Sequence, residues 1–158
     1  MRQPWAVIVS ILLIGLAVIL QVTGINRMEL FGARPDLPIV VAFCIASFSR
    51  PAGGAAAGFA SGLFLGALSG ATLAHYVFSQ TIVGFLLGKT SYEERDTRAG
   101  VLIIVLSSLA CGLILMFLAP RRDITGSIQA TILAALFNGV VAVPVYALVR
   151  RLFRPQVV

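Results

Sequence analysis

The sequence predicts an all-α membrane protein, a single bundle of six transmembrane helices with no separate soluble domain. Three observations predict it. Of 158 residues, 59% are hydrophobic and only 11% charged, with a mean hydropathy of +1.00. A soluble domain of this length needs a polar exterior that such a composition cannot supply, whereas a bilayer removes the need. Six apolar runs, most near the ~20 residues that a helix needs to cross the hydrocarbon core, are separated by turn-like or charged breaks. The charged residues fall at the ends of these runs and not within them. One integral membrane domain, 1–158, is therefore expected.

The first run, 5–23, has only Arg2 as a basic start, exceeds a usual signal core and is followed by no A-x-A site. An uncleaved first span is expected. The second run, 36–49, is short for a span, and the third, 53–69, follows Arg50-Pro51. The fourth, 72–89, follows a thin break at Ser69-Gly70. Residues 37–87 are too many for two helices of ordinary length, so three are expected, the second short or shallow. The fifth run, 100–119, follows the acidic-basic stretch 92–98, and the sixth, 127–149, follows 120–126. Pro144 lies inside the last run, where it removes a backbone donor and tends to kink the helix. Such a kink is expected to splay one end of the bundle and open a groove for a partner.

With six spans, one side carries Arg2, Arg50, Lys89, Arg95, Arg98, Arg150, Arg151 and Arg154, and the other carries Arg27, Arg34, Arg121 and Arg122. The positive-inside rule then puts both termini in the cytoplasm. The net charge of +6 gathers into no basic face, which excludes a nucleic-acid partner.

Little in the chain suggests catalysis. All six acidic residues lie in loops or at segment ends, whereas ion-coupled transporters keep ionisable groups inside the membrane for the relay. His75 is the only histidine and cannot build a zinc site with any recognised spacing. Neither Ser61 nor Ser69 stands in a G-x-S-x-G sequence, and Cys44 and Cys111 read as small apolar fillers. No catalytic residue, metal or cofactor is expected, and the chain reads as a non-enzyme. Several polar residues lie in or near apolar runs, among them Gln21, His75, Gln80, Gln129 and Asn138. They either hydrogen-bond between helices or line a polar cavity.

The stretch 54–70 reads G-A-A-A-G-F-A-S-G-L-F-L-G-A-L-S-G, with Gly54, Gly58, Gly62, Gly66 and Gly70 at every fourth position. Glycine costs about 1 kcal/mol relative to alanine in a water-exposed helix. In lipid, close backbone approach supplies much of the attraction between helices, and small residues permit it. Each glycine lags the one before by roughly 40°, so the row winds around the helix. A central helix touched by different neighbours at its two ends is expected. Gly84 and Gly88 repeat the device on the next run.

The row and its flanks resemble the rod shape-determining protein MreD family. The residues that carry the resemblance are Pro51-A-G-Gly54-A-A-A-Gly58-Phe59-A-S-Gly62 and Leu68-Ser69-Gly70-A-Thr72-Leu73. Leu20-Gln21, Arg34-Pro35-Asp36, and Asn138-Gly139-Val140 with Pro144 and Arg150-Arg151 complete the set. The chain departs from the family at Gly66, where many members carry an aspartate, and at Ala74, where a glycine is common. The resemblance implies a non-enzymatic scaffold in the bacterial inner membrane. It would bind MreC, a single-span protein, and through it act with MreB filaments, RodA and a class B penicillin-binding protein in peptidoglycan synthesis. It also implies a fold similar to the S-components of energy-coupling-factor transporters. A small-molecule-binding transporter subunit of that kind is the alternative, with Gln21, His75, Gln80 and Asn138 available to line its cavity.

Overall fold

A computed structural model describes residues 3–24, 33–69, 72–90, 96–120 and 123–153. Six helices follow in order: α1 Gln3–Thr23, α2 Leu37–Ala46, α3 Pro51–Ser69, α4 Leu73–Thr90, α5 Thr97–Leu118 and α6 Ile124–Phe153. The described residues contain no strand. By length and composition, α1, α3, α5 and α6 can each cross a membrane. The other two cannot be counted on those grounds. α2 has ten residues, and α4 carries His75, Ser79, Gln80, Thr81 and Lys89 among its apolar positions.

Boundaries move in an instructive way. Arg50-Pro51 reads as a break, yet α3 begins at Pro51, because proline has no donor to lose in a first helical turn. α6 runs unbroken from Ile124 to Phe153, past both expected ends. Pro144 sits on its exposed side and opens no break in it.

The centre of the bundle is α2. All ten of its residues are buried, and it packs against α1, α3, α4, α5 and α6. This corrects the expectation that α3 is central. The reason lies in sequence: L-P-I-V-V-A-F-C-I-A has no polar face, and a helix apolar all round belongs inside. Its shortness has the same origin, since a fully enclosed helix need not reach both surfaces.

The glycine row has one neighbour, α4, along all its described length. A Cβ on Gly54 would strike the carbonyl of Gly84, and one on Gly58 the carbonyl of Gln80. On Gly62 it would lie 2.7 Å from the Tyr76 oxygen, and on Gly66 3.0 Å from the Leu73 Cα. In return, Gly84 faces the Gly54 carbonyl and Gly88 lies against Arg50 and Pro51. Each step of four up α3 matches a step of about four down α4, so the pair is antiparallel in one register. The expectation of different neighbours at the two ends fails because α4 offers its own four-spaced row, Tyr76, Gln80, Gly84 and Gly88. Rows of that spacing are inclined to their helix axes, so two of them interdigitate when the helices cross at an angle. The partner thereby follows the drift of the row. Gly70 lies outside the described residues.

The end of the bundle where α2 finishes carries an aromatic pair. Tyr146 of α6 is buried and packs on Phe48 with ring centroids 5.1 Å apart. Gly100 gives α5 room for the Tyr146 ring, and Arg150 donates to the Thr97 hydroxyl at 3.3 Å. Gly139 of α6 likewise leaves room for the Val105 side chain.

Candidate functional site

The opposite end, where α2 begins, is built differently. The first turn of a helix leaves backbone N–H groups without partners, and inside a bilayer each unpaired group is costly. Pro38 carries no N–H, which removes one. The Asp36 side chain caps nothing. The work falls to amides from two other helices. Gln21 of α1 accepts from the Leu37 N–H at 2.9 Å and donates to the Pro35 carbonyl at 3.1 Å. Asn138 of α6 accepts from the Asp36 N–H at 2.8 Å through Oδ1. Both amides are buried. Arg34-Pro35-Asp36 is thus clamped by bonds that span 14 and 102 positions of the chain.

Beside this clamp lies a cavity of about 470 Å³ between the start of α2, the start of α4, the end of α5 and the first half of α6. Its size falls in the range of small-molecule pockets. Arg34, Asp36, Thr72, His75, Tyr76 and Asn138 give it polar walls, joined by Ser108, Ser127 and Thr131. Ile39, Cys111, Leu115 and Met116 supply apolar surface. Asp36 precedes α2 and lies outside the helices. Burial pushes its carboxyl up to about 6, with the Arg34 guanidinium pulling the other way. Ser108 is buried with no partner for its hydroxyl. Cys111 is engaged, donating to the Ser79 hydroxyl at 3.6 Å.

The five polar residues singled out by sequence therefore divide. His75 and Asn138 line the cavity. Gln21 does not line it, being spent on the start of α2, and Gln80 is elsewhere, fully buried with neither amide atom hydrogen-bonded. Gln129 is exposed. Asp36, Ser108 and Thr131 were legible only as segment-end or small polar residues, and no spacing signal ties them to His75. Of the remaining residues of the resemblance, Phe59 is exposed and Pro51 half-buried at the start of α3. The expected groove at Pro144 is not where the cavity forms, because the α6 residues that line it, Ser127 to Asn138, all precede Pro144.

Gln80 gives a direct check on packing. A buried amide without partners costs about 1–3 kcal/mol, so Gln80→Met, similar in volume and apolar, is expected to raise the thermal midpoint of the purified protein. A lowered midpoint would mean that the amide is engaged.

Fold and site together define a helical protein with four helices able to cross a membrane and a polar cavity at one end. Among known proteins, no family, no curated protein and no solved structure matches the chain.

Proposed function

We propose that this chain is a non-enzymatic membrane scaffold of the MreD kind. In this reading all six helices cross a bacterial inner membrane, α2 and α4 included, and both termini face the cytoplasm. The protein binds a single-span MreC-like partner, and through it works with MreB filaments, RodA and a class B penicillin-binding protein to maintain rod shape.

One observation supports the reading more than any other. Three separate segments that carry the resemblance, Leu20-Gln21, Arg34-Pro35-Asp36 and Asn138-Gly139, meet in one hydrogen-bonded clamp. Residues that are scattered in sequence and joined in space behave as one unit, which a chance likeness of small-residue helices would not require. Depleting the protein is expected to round the cells and change their width. Unchanged width and shape after depletion would sink the reading.

A second reading, a small-molecule-binding subunit of a transporter, is favoured by the polar cavity. Copurification with an ATPase module would distinguish it, since a scaffold has no use for one.

A further inference from the structure

The cavity has more to it than a gap between helices. The segment that forms its rim is fixed on both sides, by Gln21 and by Asn138, so its charged groups are held in place before any ligand arrives. The Asp36 carboxylate lines the cavity, is half-buried and makes no hydrogen bond among the described residues. Ser108, more than nine-tenths buried, also borders the cavity, with its hydroxyl turned away from the open space. Asn138 spends Oδ1 on the Asp36 backbone, and its Nδ2 group remains for the cavity. Buried polar groups in folded proteins are nearly always paired, so unpaired ones lining a common space call for an occupant. Water can serve small polar gaps. A space of about 470 Å³ with an apolar floor of Ile39, Leu115 and Met116 suits a larger amphiphilic molecule better.

The charges set its class. Arg34 is exposed and Asp36 half-buried, and the Arg34 charge acts on the Asp36 carboxyl. A carboxylate that accepts no hydrogen bond is best met by a group with several N–H donors and a positive charge. Among the described residues, the other titratable groups facing the space are Arg34 beside Asp36, His75 and Tyr76 on α4 and Cys111 on α5, and α6 contributes none. Arg34 acts on Asp36 as a nearby charge, and the carboxylate still accepts no hydrogen bond from a described residue. We infer that the cavity is a binding site for a molecule bearing a primary ammonium group, with Asp36 as its counter-ion, Asn138 as a hydrogen-bonding partner, and an apolar portion seated on Ile39, Leu115 and Met116. The ammonium group belongs either to a free amine or to an ethanolamine lipid headgroup. The inference rests on the cavity alone and stands apart from the scaffold reading.

The test uses the full chain in phosphatidylcholine nanodiscs, with octylamine as the probe and octanol as its uncharged match. Octylamine is expected to bind about tenfold or more tightly than octanol, and Asp36→Asn to erase that difference. Because the Asp36 side chain makes no hydrogen bond to a described residue, Asp36→Asn is expected to fold, which its thermal midpoint checks. Ala130→Phe fills the cavity from α6 and is expected to abolish octylamine binding by a route independent of Asp36. A second set of nanodiscs contains phosphatidylethanolamine. Weaker octylamine binding there assigns the site to the lipid headgroup, and unchanged binding assigns it to a free amine. Equal binding of octylamine and octanol, or undiminished octylamine binding in a folded Asp36→Asn protein, would overturn the inference. Partner capture is measured separately, so loss of the ligand and loss of the scaffold role cannot be confused.

Discussion

Gly58→Leu is expected to abolish the folded protein. The Cβ of any residue larger than glycine at this position meets the Gln80 carbonyl, a backbone atom that cannot rotate away. The α3–α4 pair must therefore separate, and with it the shared register of Gly54, Gly62 and Gly84. Overpacking a core with flexible neighbours costs about 1–3 kcal/mol. Here the obstacle is a second helix, so the cost lies at or beyond the top of that range. Gly58→Ala already tests the sign. Alanine gains about 1 kcal/mol in helix propensity, and the expected net effect is still a loss, read as a lower thermal midpoint and less monodisperse protein. Gly66→Ala is expected to be milder, because Leu73 lies at 3.0 Å or more from its Cβ. Ala56→Leu, on the exposed side of α3, serves as the neutral control. If Gly58→Leu matched Ala56→Leu in yield and midpoint, the close approach of α3 and α4 would be wrong.

The second large effect concerns the clamp on α2. Asn138→Leu removes the acceptor of the Asp36 N–H, and Gln21→Leu removes both the acceptor of the Leu37 N–H and the donor to Pro35. Each leaves a backbone group unpaired, the part-buried Asp36 N–H or the buried Leu37 N–H, at up to about 1–3 kcal/mol apiece. Gln21→Leu is expected to cost more, having two bonds to lose. The two sites act on adjacent residues, so the double variant is expected to depart from additivity. Amide exchange at Asp36 and Leu37 should accelerate in both variants, alongside a fall in thermal midpoint. Exposed Gln129→Leu should change neither. An Asn138→Leu protein within about 0.5 kcal/mol of wild type would show that the clamp carries no stability.

How far the sequence could be read depended on the kind of signal. The number and order of helices followed from apolar run length, a property of each segment alone. Glycine spacing told that a helix would be approached closely, but not by which neighbour, since the answer lay in the matching row of α4. The central place of α2 could have been inferred from its lack of any polar residue, a signal masked by its short length. The cavity was the least legible part. Asp36, His75, Ser108 and Asn138 come from four segments, and only folding brings them to one space. Gln80 shows the converse: it had the same sequence signature as Asn138, yet it does not line this cavity. What separates them is which side of a helix meets the gap.

The scaffold reading is tested most directly by affinity purification of the chain from its native membrane, followed by mass spectrometry of what remains bound. The expected result is a near-stoichiometric partner with one transmembrane span and a periplasmic coiled coil. Purification of the chain alone, or with an ATPase module in place of that partner, would contradict it.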